Sequence, residues 1–170
     1  MAMPNKLKAM NIYCNGDNWQ GQVESVTPPK LERKMEEWRG AGMDGPVEVD
    51  MGMNKLEMTI ALGGLIPDVF NHWASPIVES DMLRYVGAYE DDDTGSVHAV
   101  EITCRGRYPT IDMGESKTGE SNTHTLTASL NYYKLVVDGK TVVEIDVLHH
   151  VLNINGKDRL AQRRKALGLS

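Results

Sequence analysis

Thr123 to Val147 reads T-H-T-L-T-A-S-L-N-Y-Y-K-L-V-V, then D-G, then K-T-V-V-E-I-D-V. Asp138-Gly139 lies between two β-branched runs and supplies the two positive φ angles that a two-residue hairpin turn requires. Fixing that turn predicts a register. Val137 then faces Lys140, Leu135 faces Val142, Tyr133 faces Glu144 and Asn131 faces Asp146. On the other face Val136 meets Thr141, Lys134 meets Val143, Tyr132 meets Ile145 and Leu130 meets Val147. Leu126, Ala128, Leu130, Tyr132, Val136, Val143, Ile145 and Val147 share one side, whose burial contributes on the order of 10 kcal/mol before entropy is counted. The opposite side carries Thr123, Thr125, Thr127, Ser129 and Asn131, a polar row without charge in β-favouring residues. An ordinary solvated sheet face and the wall of a water-filled passage both fit that row.

Outward from the hairpin, the chain of 170 residues fits one domain with a real core. The formal charge of −6 is a poor footing for tight nucleic-acid binding, and suits a surface that must not hold a polyanion. No apolar run approaches bilayer length. The opening M-A-M-P-N-K-L-K lacks the apolar core of a secretory signal, which predicts a chain made and kept in a cytoplasm. Cys14 and Cys104 have no Cys-x-x-Cys spacing and read as buried thiols.

Leu7–Tyr13 alternates, Asn15-Gly16-Asp17-Asn18 turns, and Trp19–Val26 is predicted to return beside it as a first hairpin, ended by Thr27-Pro28-Pro29. Leu31–Trp38 has helix-forming residues, but the prolines before it and the glycine after it favour a polar edge strand. Arg39, Gly40, Ala41, Gly42, Met43 and Asp44, with Gly45-Pro46, form a Gly-rich loop with a Met at its tip. The loop lacks the Gly-Lys-Ser/Thr ending of a phosphate loop. It is mobile in a free monomer, and reads either as a plain connector or as an arm that orders against a partner.

Val47–Met51 and Leu56–Leu62 are strands, the second with a clean apolar face. Pro67 opens a short helix, on which Phe70 and Trp73, with Leu65 or Ile66 just before it, are placed to plug one end of the fold. His72 there has no Cys or His at metal spacing. Met82–Glu90 and Val97–Arg107 pair across the acidic turn Asp91–Gly95. That turn fails the EF-hand pattern, because Ile102 stands where a bidentate Glu belongs. Tyr108–Asn122 reads as a loop, and His149-His150 as a strand whose side chains point to opposite faces. Asp158 caps a helix over Arg159–Leu167 that ends at Gly168, its late Arg-Arg-Lys suiting the negative end of the dipole. The expected fold is mainly β, a sandwich or small barrel with one short internal helix and a short C-terminal helix. No nucleophile elbow, His-Glu-x-x-His, cysteine cluster or phosphate loop is present, so nothing in the sequence argues for an enzyme, a cofactor or a metal.

Several stretches taken together are distinctive. They are V-E-S-V-T-P-P-K-L at Val23–Leu31, R-K-M-E-E-W-R-G-A-G-M at Arg33–Met43 and V-D-M-G-M at Val49–Met53. D-D-D-T-G at Asp91–Gly95 and R-G-R at Arg105–Arg107 follow. The C-terminal half adds Y-Y-K-L-V-V-D-G-K at Tyr132–Lys140, V-E-I-D at Val143–Asp146 and N-G-K-D-R-L-A at Asn155–Ala161. In this order they resemble the major tail tube protein of contractile-tailed bacteriophages, a group that includes the tube of R-type tailocins. The Pro28-Pro29 pair departs from the single proline usual there. The resemblance implies one tail tube domain over residues 1–170, in a hexameric ring whose inner sheets join into one barrel. It implies rings stacked inside a sheath, with a baseplate hub and a tape measure protein as further partners. DNA then passes through the lumen without specific binding, in a virion tail assembled in the host bacterial cytoplasm. Under it the Thr123, Thr125, Thr127, Ser129, Asn131 row is expected to face the lumen, and the Arg39–Pro46 loop to reach the next ring. The tube of a type VI secretion or other contractile injection system is the alternative. A monomeric ligand-binding β-sandwich is the other class.

Overall fold

The computed structural model describes residues 2–169. The strands are β1 (Lys6–Cys14), β2 (Asp17–Asn18), β3 (Val23–Thr27), β4 (Arg33–Trp38), β5 (Val47–Met53) and β6 (Leu56–Leu62). They continue as β7 (Asp81–Glu90), β8 (Val97–Asp112), β9 (His124–Val137), β10 (Lys140–Asp146), β11 (Val151–Ile154) and β12 (Lys157–Asp158). A 3-10 helix, Pro67–His72, joins β6 to β7, and α1 (Ala161–Ala166) follows β12. The fold is therefore mainly β with two short helices, as the sequence predicts.

β9 holds the architecture together. Its first half, His124–Leu130, pairs with β6, and its second half, Tyr132–Val137, pairs with β10. β8 runs along its other edge throughout. One layer is thus β3-β6-β9 with the end of β8, and the other runs β1-β7-β8-β9-β10-β11. The core lies between them. Leu56, Met58, Ile60 and Leu62 of β6 meet residues such as Ile12, Leu83, Tyr85, Ile102 and Cys104. Each large aliphatic or aromatic side chain there contributes about 1.5–3 kcal/mol by leaving water.

The shared strands bend from one layer to the other at a bulge. Arg105 pairs with Tyr132 and Gly106 with Leu130, which leaves Asn131 as an extra residue in β9. Gly106 is required there, because a Cβ would collide with the Ser129 carbonyl oxygen and lie 2.9 Å from Leu130 Cα. An inserted residue reverses which side chains face the core. Leu126, Ala128 and Leu130 are buried before the bulge, and Tyr133 after it. Tyr132, expected in the core, instead faces outward, with the Arg105 guanidinium 4.7 Å from its ring centroid.

The Asp138-Gly139 turn forms as predicted, at φ of 49° and 79°. Val137 faces Lys140 and Val136 faces Thr141, and a second bulge then shifts the pairing by one residue. Val143 meets Leu135, Glu144 meets Lys134, Ile145 meets Tyr133 and Asp146 meets Tyr132, in place of the predicted partners. Strict alternation cannot register an inserted residue. The earlier bulge at Asn131 leaves Val136 half-buried on the outward side, and Val147 lies beyond the strand and is exposed.

Other expectations change for related reasons. β3 does not return beside β1; it pairs with β6, while β1 pairs with β7 over nearly its whole length. Only β2 completes the turn after Cys14. β8 runs on through Tyr108–Asp112, which had read as loop, because a register shift between Arg107 and Thr110 accommodates Pro109 within the strand. Ile66 is buried as expected, but Phe70 and Trp73 are exposed and Val69 is buried in their place, since a 3-10 turn presents different positions from an α-helix. His149-His150 lies in a turn, with His150 at φ 57°, and not in a strand. Asp158 is not the expected cap: the helix starts later, at Ala161, with Leu160 at its N-cap and no side-chain cap bond, and Asp158 instead accepts the Leu160 N–H at 3.0 Å and pairs with Arg164 at 2.6 Å.

Candidate functional site

Pairing across β3, β6, β9 and the end of β8 aligns small polar side chains into rows on the face away from the core. Thr27 pairs with Thr59, Thr59 with Thr127, and Thr127 with Thr110, so one row is threonine on all strands. The next row is Ser25, Ala61, Thr125 and Asp112. A third joins Glu57, Ser129 and Arg107. These paired positions hold hydroxyls and a few charges of both signs, with no lysine. The rest of the predicted polar row divides. Thr123 lies just before β9, and its hydroxyl donates to Glu24 at 3.0 Å. Asn131 is the bulged residue, and its Nδ2 donates to the Val78 carbonyl at 3.4 Å. The threonines of β3, β6 and β8 were missed in the sequence because each is a single position in its own strand. Only register brings them together.

Among the described residues, β3 has β6 as its one strand partner, and β8 beyond Gly106 pairs with β9 alone apart from a bridge between Trp73 and Tyr108. This four-stranded layer therefore carries open backbone at both edges. Its strands alternate in direction from β3 through β6 and β9 to β8. A copy placed edge to edge would set β3 antiparallel to the neighbour's β8, so the ladder can continue without a break.

β4 and β5 form a separate two-stranded sheet; the sequence predicts each strand but not that they pair. At its root, Arg33 binds Asp50 through two nitrogens, at 2.9 and 3.0 Å. That guanidinium, and then the Gly52 N–H, hold the Asp50 carboxyl below the usual carboxylate range. Further out, Trp38 faces Val47 and Glu36 faces Val49. Trp38 is 62% and Val47 49% exposed. At the tip Met43 N–H donates to the Gly40 carbonyl at 3.3 Å, and Gly42 takes the positive φ of 84° that a type II turn needs. Met43 is not the projecting tip residue expected: it is half-buried, with its sulfur accepting the Gly40 N–H at 3.1 Å.

A third feature was invisible in the sequence. Cys14, His72 and Asp81 place potential ligand atoms within 4.8 Å of one another. Their hydrogen bonds are already made: Asp81 Oδ1 meets His72 Nδ1 at 2.7 Å and accepts Asn15 Nδ2 at 2.8 Å, and its Oδ2 accepts Ser80 at 2.8 Å. The Cys14 thiol lies 3.1 Å from the Tyr108 hydroxyl, and burial pushes it up to about 11. A thiol held protonated in this way is neither a nucleophile nor a ready ligand, and the group ties the 3-10 helix to β1, β7 and β8. Cys104, also free and buried, is pushed by burial to about 12. Among the described residues no helix is long and apolar enough to cross a membrane.

The layered sandwich is shared with proteins of contractile injection machines. A chain of the sheath–tube complex of an extracellular contractile injection system aligns with a TM-score of 0.56 at 10% identity, covering 79% of this chain and 90% of that one. A chain of the anti-feeding prophage baseplate aligns at 0.57 and 11% identity, covering 80% of this chain and 97% of that one. At these identities the likeness is one of fold. Sequence fixes the family: residues 4–168 match phage tail tube protein FII, and the chain belongs to that family. It is 45% identical to the tail tube protein of Escherichia phage P2, over 99% of this chain and 100% of that one. It is 39% identical to the major tail tube protein of Serratia phage KSP20, over 99% of each.

Proposed function

We propose that this protein is the structural subunit of the inner tail tube of a contractile bacteriophage tail. The full-length kinship with phage tail tube proteins carries the reading, and favours a phage tail over a secretion machine. The open edges of the hydroxyl-faced layer support it. Unpaired edges are a liability in a monomer, and head-to-tail closure around a ring removes them. The reading is a hexameric ring in which β3 of each copy joins the end of β8 of the next, with the threonine rows facing the lumen. Such a wall offers hydroxyls and mixed charges to passing DNA and no lysine row to bind phosphate. The Arg39–Asp44 turn and its hairpin reach the adjacent ring. Sheath, baseplate hub and tape measure protein are the partners this role implies, in a virion tail built in the host cytoplasm.

Mass measurement and negative-stain microscopy of the concentrated protein test the reading. Rings or tubes with a central hole are expected; compact single molecules at every concentration would exclude it. Removing Gly40–Asp44 should leave a folded protein that does not polymerise, and tubes of ordinary length from that deletion would exclude the arm's role.

A further inference from the structure

Where the arm joins the body, the core is left partly open. Two adjoining hollows of about 210 and 190 Å³ share Arg33, Met53, Ile145 and Leu152 as walls, with Arg163 on one rim. Their floor is apolar and belongs to β10 and β11, whose half of β9 lies beyond the reach of β6. Other apolar side chains are exposed, Leu65, Trp73 and Ile77 among them; on the arm, Trp38, Val47 and Val49 share one face, close enough in the hairpin to enter a groove together. The arm's charges complement the groove. Between Lys34 and Val49 the acidic Glu36, Glu37, Asp44 and Glu48 outnumber Lys34 and Arg39, with Lys34 4.0 Å from Glu36, whereas Arg163 at the groove has no ion-pair partner among the described residues.

A chain cannot fill its own groove with its own arm. Trp38 stands five residues beyond Arg33 along a paired strand, about 17 Å at the rise of an extended chain. The root of the hairpin is fixed to the groove wall through Arg33 and Met53. The occupant must come from another molecule. We propose that the groove bounded by Met53, Ile145, Leu152 and Arg163 receives the Trp38–Val47 end of the arm of a second copy, with Glu36 set toward Arg163. This deepens the tube reading and rests on it: the arm gains a receptor, and the receptor lies at the root of the next arm.

Cysteines report the contact directly. Val47 on the arm and Val147 on the groove rim are both about half exposed, and the native cysteines are buried. Mixing Val47→Cys protein with Val147→Cys protein under mild oxidation should give a disulfide-linked dimer, and neither variant alone should. In parallel, Arg163→Glu or Glu36→Arg alone should raise the protein concentration needed for assembly by about tenfold, as reversing one charge of an interface pair does, and combining them should restore it. Tubes that form without cross-linking in the mixture, and no rescue in the double variant, would overturn the groove as receptor. The arm's role would then still be judged by its deletion. If wild-type protein forms no ring or tube, the tube reading itself fails.

Discussion

β6 and β4 are short strands of similar length, seven and six residues, with opposite surroundings. Along β6 alternate residues are almost wholly enclosed, and the others stand on the hydroxyl face. β4 has no buried residue, and its partner β5 has none either. The body holds the buried core, although Leu65, Trp73 and Ile77 stay exposed on it, whereas the hairpin buries nothing and displays a tryptophan, valines and methionines to solvent. A lone two-stranded ribbon is marginal in water, and exposed apolar side chains concentrated on one mark a surface meant for a partner. On the proposed reading stability and assembly reside in different parts of the molecule, and mutations should separate them.

The largest effect is expected at the bend of the body. Gly106→Ala pushes a methyl group into the Ser129–Leu130 backbone, and should cost more than about 3 kcal/mol or prevent folding, as overpacking without room to relax does. Soluble protein with an unchanged urea midpoint would contradict the bulge. Next, Ile60→Ala in β6 should cost about 2–5 kcal/mol by opening a cavity. Trp38→Ala on the arm should shift stability by no more than about 0.5 kcal/mol while suppressing polymerisation. Equal losses of stability at the two sites would erase the distinction between body and arm.

A smaller change is expected from Thr125→Lys combined with Thr127→Lys. Rings should still form, because these side chains point away from the core, but genome ejection should slow as lysines engage phosphate. Loss of rings with these positions buried would remove that face from the lumen. The smallest effect belongs to Asp158, whose carboxyl is held low first by Arg164 and then by the Leu160 N–H. A depressed carboxylate adds stability above its unfolded pKa of about 4, and that contribution is lost as pH falls through the folded value. Asp158→Asn should therefore melt below wild type at neutral pH, and the gap should close on acidification when followed by circular dichroism.

Much of this was legible in the chain. Asp138-Gly139 announced its turn because only a few residue pairs tolerate positive φ twice in succession. The alternation of Leu56–Leu62 announced a half-buried strand, and the two prolines and the glycine around Leu31–Trp38 argued a strand against its helical composition. The failures share a cause. The bulges at Asn131 and after Thr141 each insert a residue, so the period-2 rule placed Tyr132 in the core and mispaired Leu135. The return of Val23–Thr27 was assigned to the nearest strand, whereas it pairs with β6, more than thirty residues away in sequence by its register with Leu62. Cys14, His72 and Asp81 looked unrelated for the same reason.

The sequence by itself determined the Asp138-Gly139 turn, most of the strands, the family and the polar character of one face of β9. Those follow from backbone sterics and from local side-chain period, which act between near neighbours. The tertiary structure alone decided the threonine rows, the open edges beside them and the groove at the foot of the arm. These depend on which distant strands pair and in what register, and a single residue inserted at Asn131 was enough to change which side of the sheet each later side chain meets.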